Sequence, residues 1–271
     1  FLSDGDLQAI GLTLRLAVAG APCGLCGAGL VFYEHSHGKD WLLCPDCGLV
    51  AHLPPAGEAA VLDQGEAGGA KLPPDSLVHR RERFFCDLFL EAMGWTDVLL
   101  YGVGWSLVFE QLRARGVHAV GCDLWRPLIR QRREAFGPDS FFHRDELPEV
   151  SFDLISAFEV FEHFASPLRD VRVLTSRLRP ESAIVGCTDF RVGGPLSQHP
   201  GHSPDYWRHR THLCAWNYSS MNRLARLTGL TASYFKVFLG SLGAKVFFVL
   251  HRGPKTAAYV QSLPKLFRKA F

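Results

Sequence analysis

Three groups of residues in this chain combine side-chain types and spacings that could do chemistry. The first is Cys23-Gly-Leu-Cys26 and Cys44-Pro-Asp-Cys47, two cysteine pairs 17 residues apart, each followed by glycine (Gly27, Gly48). Cysteines with two residues between them can turn both sulfurs toward one ion, and the following glycine permits the tight backbone that brings amides to the thiolates. Four sulfurs close a tetrahedron around Zn2+ and leave no open position, so the expected ion is structural. A redox CxxC or a chance grouping are the alternatives, and two correctly spaced pairs favour zinc over both. The other cysteines, Cys86, Cys122, Cys187 and Cys214, sit among apolar neighbours and are expected to be small buried hydrophobes.

The second group is a glycine turn. The strand-like run DVLLYG leads into Gly102-Val103-Gly104-Trp105-Ser106 and then a helical stretch. Glycines there let the backbone turn sharply and approach a ligand at the C-terminal edge of a sheet. About 20 residues on, the run HAVGCD ends in Asp123, placed to accept hydrogen bonds from two ribose hydroxyls.

The third is AFEVFEHF, residues 157–164, where a hydrophobic run gives way to Glu159, Glu162 and His163. If a helix begins here, positions i, i+3 and i+4 share one face. Capping and solvation, general-base work and metal ligation are all open to such a trio. Downstream, DYWRHRTHLCAWNYSSMNRLA (205–225) is dense in His, Arg, Trp and Tyr, and includes His212. Tyr206 and Trp207 are candidates to stack on a substrate ring. His199, His202 and His209 are expected in a solvated loop.

These groups need elements to hold them. Residues 1–18 carry a short amphipathic pattern, and FYEHSH and DWLLC read as strands around a turn at His37-Gly38-Lys39. Residues 56–76, rich in Ala, Gly and Pro, read as a linker or lid. From residue 77 strands alternate with helices. Helix LVHRRERFFCDLFLEAMG precedes DVLLYG, followed by helix SLVFEQLRARG, strand HAVGCD, helix PLIRQRREAFG, strand FDLISAF, helix SPLRDVRVLTSRLRP and strand AIVGCTDF. That rhythm predicts a doubly wound, mostly parallel α/β sheet with helices on both faces. Helix YSSMNRLARLTG and the runs ASYFKVFLG and AKVFFVLHR predict an antiparallel hairpin at one edge. The expected divisions are a helix and zinc-ribbon module at 1–55, the linker, a main domain at 77–252 and a basic tail at 253–271, the tail expected to dock as a helix.

Composition narrows the classes. With 271 residues, 47% apolar, and a net charge of +2, the chain reads as globular and lacks the basic stripe of a nucleic-acid binder. No apolar run approaches the ~20 residues of a membrane span. The N-terminus lacks the basic start and apolar core of a signal peptide, and Phe1 in place of Met marks an expected fragment. The cytoplasm is the expected compartment.

In combination, VLLYGVGWS, VGCD, SFDLISAFEVFEHFASP and RVLTSRLRPESAIVGCTDF resemble class I S-adenosylmethionine-dependent methyltransferases, most of all the ubiquinone-biosynthesis type with E-V-x-E-H after the fourth strand. The resemblance covers roughly residues 80–250 and implies a seven-stranded Rossmann-like sheet. It implies that Tyr101, Gly102 and Gly104 line the methionine side of S-adenosylmethionine, that Asp123 holds the ribose, that Leu124 flanks the adenine, and that Phe158 and Glu159 meet the far edge. Leu100 stands where the family carries an acidic residue, and Ser106 where it carries a third glycine. The stretch RTHLCAWNYSSMNRLA also resembles the plant small-RNA 2′-O-methyltransferases, which implies a divalent ion, Mg2+ or a related one, on Glu159, Glu162, His163 and His212. Without an ion, Glu162, His163 and His212 are the candidates for proton transfer. The expected reaction is O-methylation of a small-molecule or sugar hydroxyl. RNA 2′-O-methylation is the runner-up, and a zinc-ribbon scaffold is the reading from another class.

Overall fold

The computed structural model describes residues 20–54, 76–191, 193–198, 204–238 and 244–270. The helix expected within residues 1–18, and the expected linker except for Ser76, lie outside the described residues.

The cysteine-bearing segment forms β1 (Val31–Ser36), β2 (Lys39–Leu43) and β3 (Val50–His52), paired antiparallel in that order. His37 and Gly38 join the first two strands with φ of 55° and 76°. Two successive positive φ angles match the twist of a two-residue hairpin.

Helix α1 (Leu77–Met93) starts at Ser76, whose hydroxyl accepts from the His79 amide, and stops at Gly94 in the left-handed conformation. Its Phe85, Cys86 and Phe89 recur at helical spacing and join Leu100, Val185 and Phe247 in one buried cluster. The βα alternation follows as β4 (Asp97–Tyr101), α2 (Val108–Ala114), β5 (His118–Asp123), α3 (Arg126–Phe136), β6 (Phe141–His143), β7 (Phe152–Ser156), α4 (Pro167–Thr175) and β8 (Leu178–Thr188). After them come α5 (Pro204–Arg208), β9 (Cys214–Ala215), α6 (Tyr218–Leu227), β10 (Thr231–Phe238), β11 (Ala244–Arg252) and α7 (Pro254–Ala270).

The main sheet has seven strands in the order β10-β11-β8-β7-β4-β5-β6. Neighbours from β6 to β8 pair parallel, whereas β11 runs antiparallel to both β8 and β10. The expected doubly wound sheet and edge hairpin are present, with the later hairpin strand inside. Cys86, Cys122, Cys187 and Cys214 are all buried, as expected of small hydrophobes. Helix α7 docks through Val260 and Leu263 in the core, and the Tyr259 hydroxyl donates to the Leu88 carbonyl at 2.6 Å. Among the described residues, no helix is long and apolar enough to cross a membrane.

Three local expectations are corrected. The helix read through Pro180 ends at Thr175, because β8 already begins at Leu178, paired with Phe152, and Arg179 bridges Asp97 and Asp153 at 2.8 Å each. No helix starts at Glu159: a single 3-10 turn covers Phe161–His163, and Glu159 has φ of 54°. Finally, the smaller sheet is not built from N-terminal residues alone. Strand β9 pairs antiparallel with β3, so the segment after β8 supplies its fourth strand.

Candidate active site

The C-terminal ends of β4, β5 and β7 form one edge of the sheet, and the glycine turn lies across it. The Gly102 and Val103 amides both donate to the Cys122 carbonyl, at 2.8 and 3.1 Å. Gly102 has φ of 69°, and a Cβ there would collide with the Val160 side chain, so glycine is required twice over. Asp123 ties the turn to the next loop, its two carboxylate oxygens accepting from the Gly104 and Trp125 amides at 2.9 Å each. A carboxylate has about four lone-pair sites, so two remain for a ligand's hydroxyls. Trp105 and Trp125 meet edge to face at 6.0 Å beside it.

These residues fit S-adenosylmethionine: a Cβ-free cradle for close backbone approach and a strand-terminal carboxylate with spare acceptors. Leu124 is half-buried next to Asp123. Tyr101 turns its ring into the core, 6.4 Å from Phe164, so only its backbone borders the turn. Phe158 packs against the stacked pair of Phe85 and Phe247, at 6.1 and 6.2 Å.

The loop after β7 separates the acidic residues of AFEVFEHF. Positive φ at Glu159 sends its carboxylate to Arg81 on α1, 3.5 Å away, and to the Cys187 thiol at 3.3 Å. Glu162 turns the other way and is wholly buried. Its carboxylate accepts from the Tyr206 hydroxyl at 2.9 Å, and its carbonyl accepts from the Leu213 amide at 2.7 Å. The donor atoms of Glu162, His163 and His212 lie within 4.8 Å of one another. Three of the four expected ligands therefore converge, and Glu159 stands outside them. His163 Nδ1 donates to the Thr211 carbonyl at 3.0 Å, which leaves a lone pair on Nε2. Burial lowers the pKa of His163 to about 4, against the pull of the Thr211 carbonyl. Burial, then the adjacent His163 and His209, lowers that of His212 to about 2. Both imidazoles are neutral at physiological pH, the form that ligates a metal or accepts a proton.

Trp207 is core, edge to face with Trp41 at 5.9 Å, which leaves it no ring face for a substrate. Tyr206 acts through its hydroxyl, which also lies 3.3 Å from the Thr188 hydroxyl. His209 is exposed beside His212, ring centroids 4.9 Å apart. His199 and His202 lie outside the described residues.

The four cysteines converge as well. Cys23 and Cys47 sulfurs are 3.8 Å apart and those of Cys26 and Cys44 3.4 Å. A disulfide would need about 2.05 Å, whereas a tetrahedron with Zn–S of about 2.3 Å has edges of about 3.8 Å. The two turns repeat one geometry: Gly27 donates to Cys23 and Gly48 to Cys44, both at 2.9 Å, while the Cys23 and Cys44 amides reach Ala28 and Leu49 at 2.8 Å. That repetition, with positive φ at both glycines, fits a four-thiolate zinc site. The module is fastened to the main domain at Gly24, whose carbonyl accepts from Leu168, and at Gly48, whose carbonyl accepts from the Asn217 side chain at 2.9 Å.

Reasoning from sequence missed Arg81, Glu82, Trp105 and Trp125. Glu82 had a usable signal: it extends the apolar stripe Phe85–Cys86–Phe89 back by one turn, so a helical projection buries a charge there.

Residues 77–233, more than half of the chain, match the family described as a methyltransferase domain. No curated protein matches the chain in sequence. In fold, the chain is similar to the Burkholderia thailandensis 1,6-didemethyltoxoflavin-N1-methyltransferase, solved with 1,6-didemethyltoxoflavin and S-adenosylhomocysteine bound. The TM-score is 0.55 at 14% identity, over 82% of this chain and 98% of that one. It is also similar to an S-adenosylmethionine-dependent methyltransferase from Mesorhizobium loti, with a TM-score of 0.50 at 16% identity over 66% of this chain and 100% of that one. The glycine turn, the strand-terminal Asp123, the seven-stranded topology and the family match agree: the chain belongs to the class I S-adenosylmethionine-dependent methyltransferase domain family.

Proposed function

We propose that this methyltransferase modifies a hydroxyl oxygen of a small molecule or sugar, with a divalent ion on Glu162, His163 and His212 assisting. The observation that carries the reading is the convergence of these three donors beside the loop that follows β7. Bound S-adenosylmethionine supplies an electrophilic methyl carbon. The chain must then hold an acceptor in line and manage its proton. Two neutral imidazoles and one carboxylate leave coordination positions open, and they suit Mn2+ or a related transition ion better than oxygen-preferring Mg2+. Such an ion would lower the pKa of an acceptor hydroxyl. Tyr206 fixes the Glu162 carboxylate and Thr211 fixes the His163 tautomer, so both donors are oriented in advance. The toxoflavin enzyme of like fold holds a small heterocycle, in keeping with a small acceptor.

The four cysteines hold a structural zinc in this reading, and they hold the smaller sheet against the acceptor side. The test is Mn2+ titration together with turnover on a panel of hydroxylated acceptors. Glu162→Ala is expected to abolish metal-dependent turnover and leave S-adenosylhomocysteine affinity within about threefold. Turnover that persists in chelator, with the cysteine-bound zinc still in place, would overturn the metal assignment.

A further inference from the structure

Glu82 is a wholly interior carboxylate that none of the steps above uses. It projects from the first turns of α1, and its residue is 6% exposed. One oxygen accepts from the Ser106 hydroxyl at 2.7 Å, and the other accepts from the Ser156 hydroxyl, also at 2.7 Å. Ser106 closes the glycine turn, and Ser156 is the last residue of β7, so the carboxylate joins three elements that meet at the cofactor edge. The Ser106 oxygen also accepts from the Val108 amide at 3.2 Å, which sets the start of α2. On the far side, the Ser106 carbonyl accepts from Arg132 at 3.0 Å, and Arg132 is paired with Glu110.

Just before the turn, β4 places Leu100 where the resemblance implies an acidic residue. Leu100 is buried among Phe85, Cys86 and Phe89 of α1. Two carboxylates therefore hold the turn from other elements, Asp123 at the Gly104 amide and Glu82 at the Ser106 hydroxyl. Burial pushes the Glu82 carboxyl up from its ordinary range, and the two serine hydroxyls pull it back. Keeping a carboxylate in the interior is costly unless hydrogen bonds satisfy it. Both of these bonds come from serines that border the cofactor edge.

We infer that Glu82 is a positioning residue for the cofactor turn: through Ser106 it fixes the backbone of residues 102–106 in the shape that receives S-adenosylmethionine. Helix α1 thereby becomes part of the cofactor site, although it precedes the first strand of the main sheet. Arg81, adjacent on the same helix, braces the loop after β7 through Glu159, so one turn of α1 anchors both loops of this edge.

The test is calorimetry of the full chain with S-adenosylhomocysteine on Glu82→Ala, Ser106→Ala and the double variant. Each single variant is expected to weaken binding at least tenfold, and the double variant no more than the worse single one, because both remove the same contact. Glu82→Gln, which keeps an acceptor oxygen, is expected to recover most of the loss. Affinity within twofold of the parent in Glu82→Ala, or a double variant that multiplies the two single losses, would overturn the inference. Should Glu82→Ala fail to fold, unchanged affinity in Ser106→Ala alone would overturn it.

Discussion

The ammonium of Lys39 lies 2.9 Å from the backbone carbonyl of His212, and donates to the His209 carbonyl at 2.5 Å as well. Lys39 opens β2 in the cysteine-bearing sheet, whereas His212 belongs to the Glu162–His163–His212 cluster of the main domain. One buried cation therefore pins the backbone that presents a candidate catalytic imidazole. Lys39→Met keeps the length and apolar stem but strips both donors. Charged hydrogen bonds contribute about 1.5–3 kcal/mol each, so exchange of amides in residues 209–213 is expected to quicken at least tenfold. Mn2+ affinity should fall by a similar factor with zinc content unchanged. Hydrogen exchange resolved by mass spectrometry reads the first effect, and protection equal to the parent would remove Lys39 from the account.

The same junction predicts what loss of the proposed zinc does. A Cβ on Gly48 would lie 2.8 Å from the Asn217 side-chain nitrogen, and one on Gly24 would lie 3.1 Å from Pro167, so both knuckles sit hard against the main domain. Loss of the ion should release β3, and with it β9, which among the described residues pairs in the smaller sheet with β3. Cys47→Ser is expected to hold less than one zinc per chain and to lower the unfolding midpoint by several degrees. Roughly 2–4 °C is expected for each kcal/mol lost in a domain of this size. S-adenosylhomocysteine affinity should stay within about threefold, since the cysteine turns are tied to Leu168 and Asn217 and not to the glycine turn by these bonds. A midpoint equal to that of the parent after complete zinc loss would contradict this.

Much of the main sheet was legible because its elements are strongly patterned. The run DVLLYG is buried from Val98 to Tyr101, and the stripe of α1 repeats at helical spacing, so periodicity alone locates both. The cysteine pairs were legible for the same local reason. Strand β9 was not: two residues carry no period, and its pairing to β3 spans a sequence distance that no local pattern encodes. The split of AFEVFEHF depended on one backbone angle, the positive φ of Glu159, which a non-glycine residue seldom adopts. Glu162 and His163 thus meet His212 while Glu159 meets Arg81, an outcome that spacing alone does not determine. The cofactor edge was half legible. Gly102, Gly104 and Asp123 announce themselves by type and position, but Glu82 reaches the same turn from a helix whose register only packing reveals.

Asp123 carries a prediction of its own. Its two oxygens each hold one amide, from Gly104 and from Trp125. Asp123→Asn keeps one acceptor oxygen and replaces the other with a donor that faces an amide. Loss of one charge-assisted bond at about 1.5–3 kcal/mol corresponds to roughly 10- to 100-fold in affinity. Asp123→Asn is expected to weaken S-adenosylhomocysteine binding about tenfold, and Asp123→Ala by more. Calorimetry checks the order, and an Asn variant that binds like the parent would show that the carboxylate does not serve the cofactor.

The Glu162–His163–His212 cluster also sets a pH dependence whose sign can be worked out. His163 and His212 are neutral in the folded chain, with pKa values of about 4 and about 2, because burial disfavours the imidazolium. In the unfolded chain both return to about 6.5. Between those values the unfolded state binds more protons, so stability rises with pH; the contribution is complete above about pH 6.5 and drains away as pH falls toward 4. A shift of this size corresponds to at most about 3 kcal/mol for each histidine over that window. Denaturant unfolding of the zinc-loaded chain, free of other metals, should therefore lose stability steeply between pH 6.5 and 4. His163→Gln, which cannot take up a proton, should flatten that slope. The imidazole resonances of both residues should show no titration above pH 5. Signals that titrate near pH 6.5 would mean that the cluster is open to water, and would remove the basis for treating these imidazoles as ready donors.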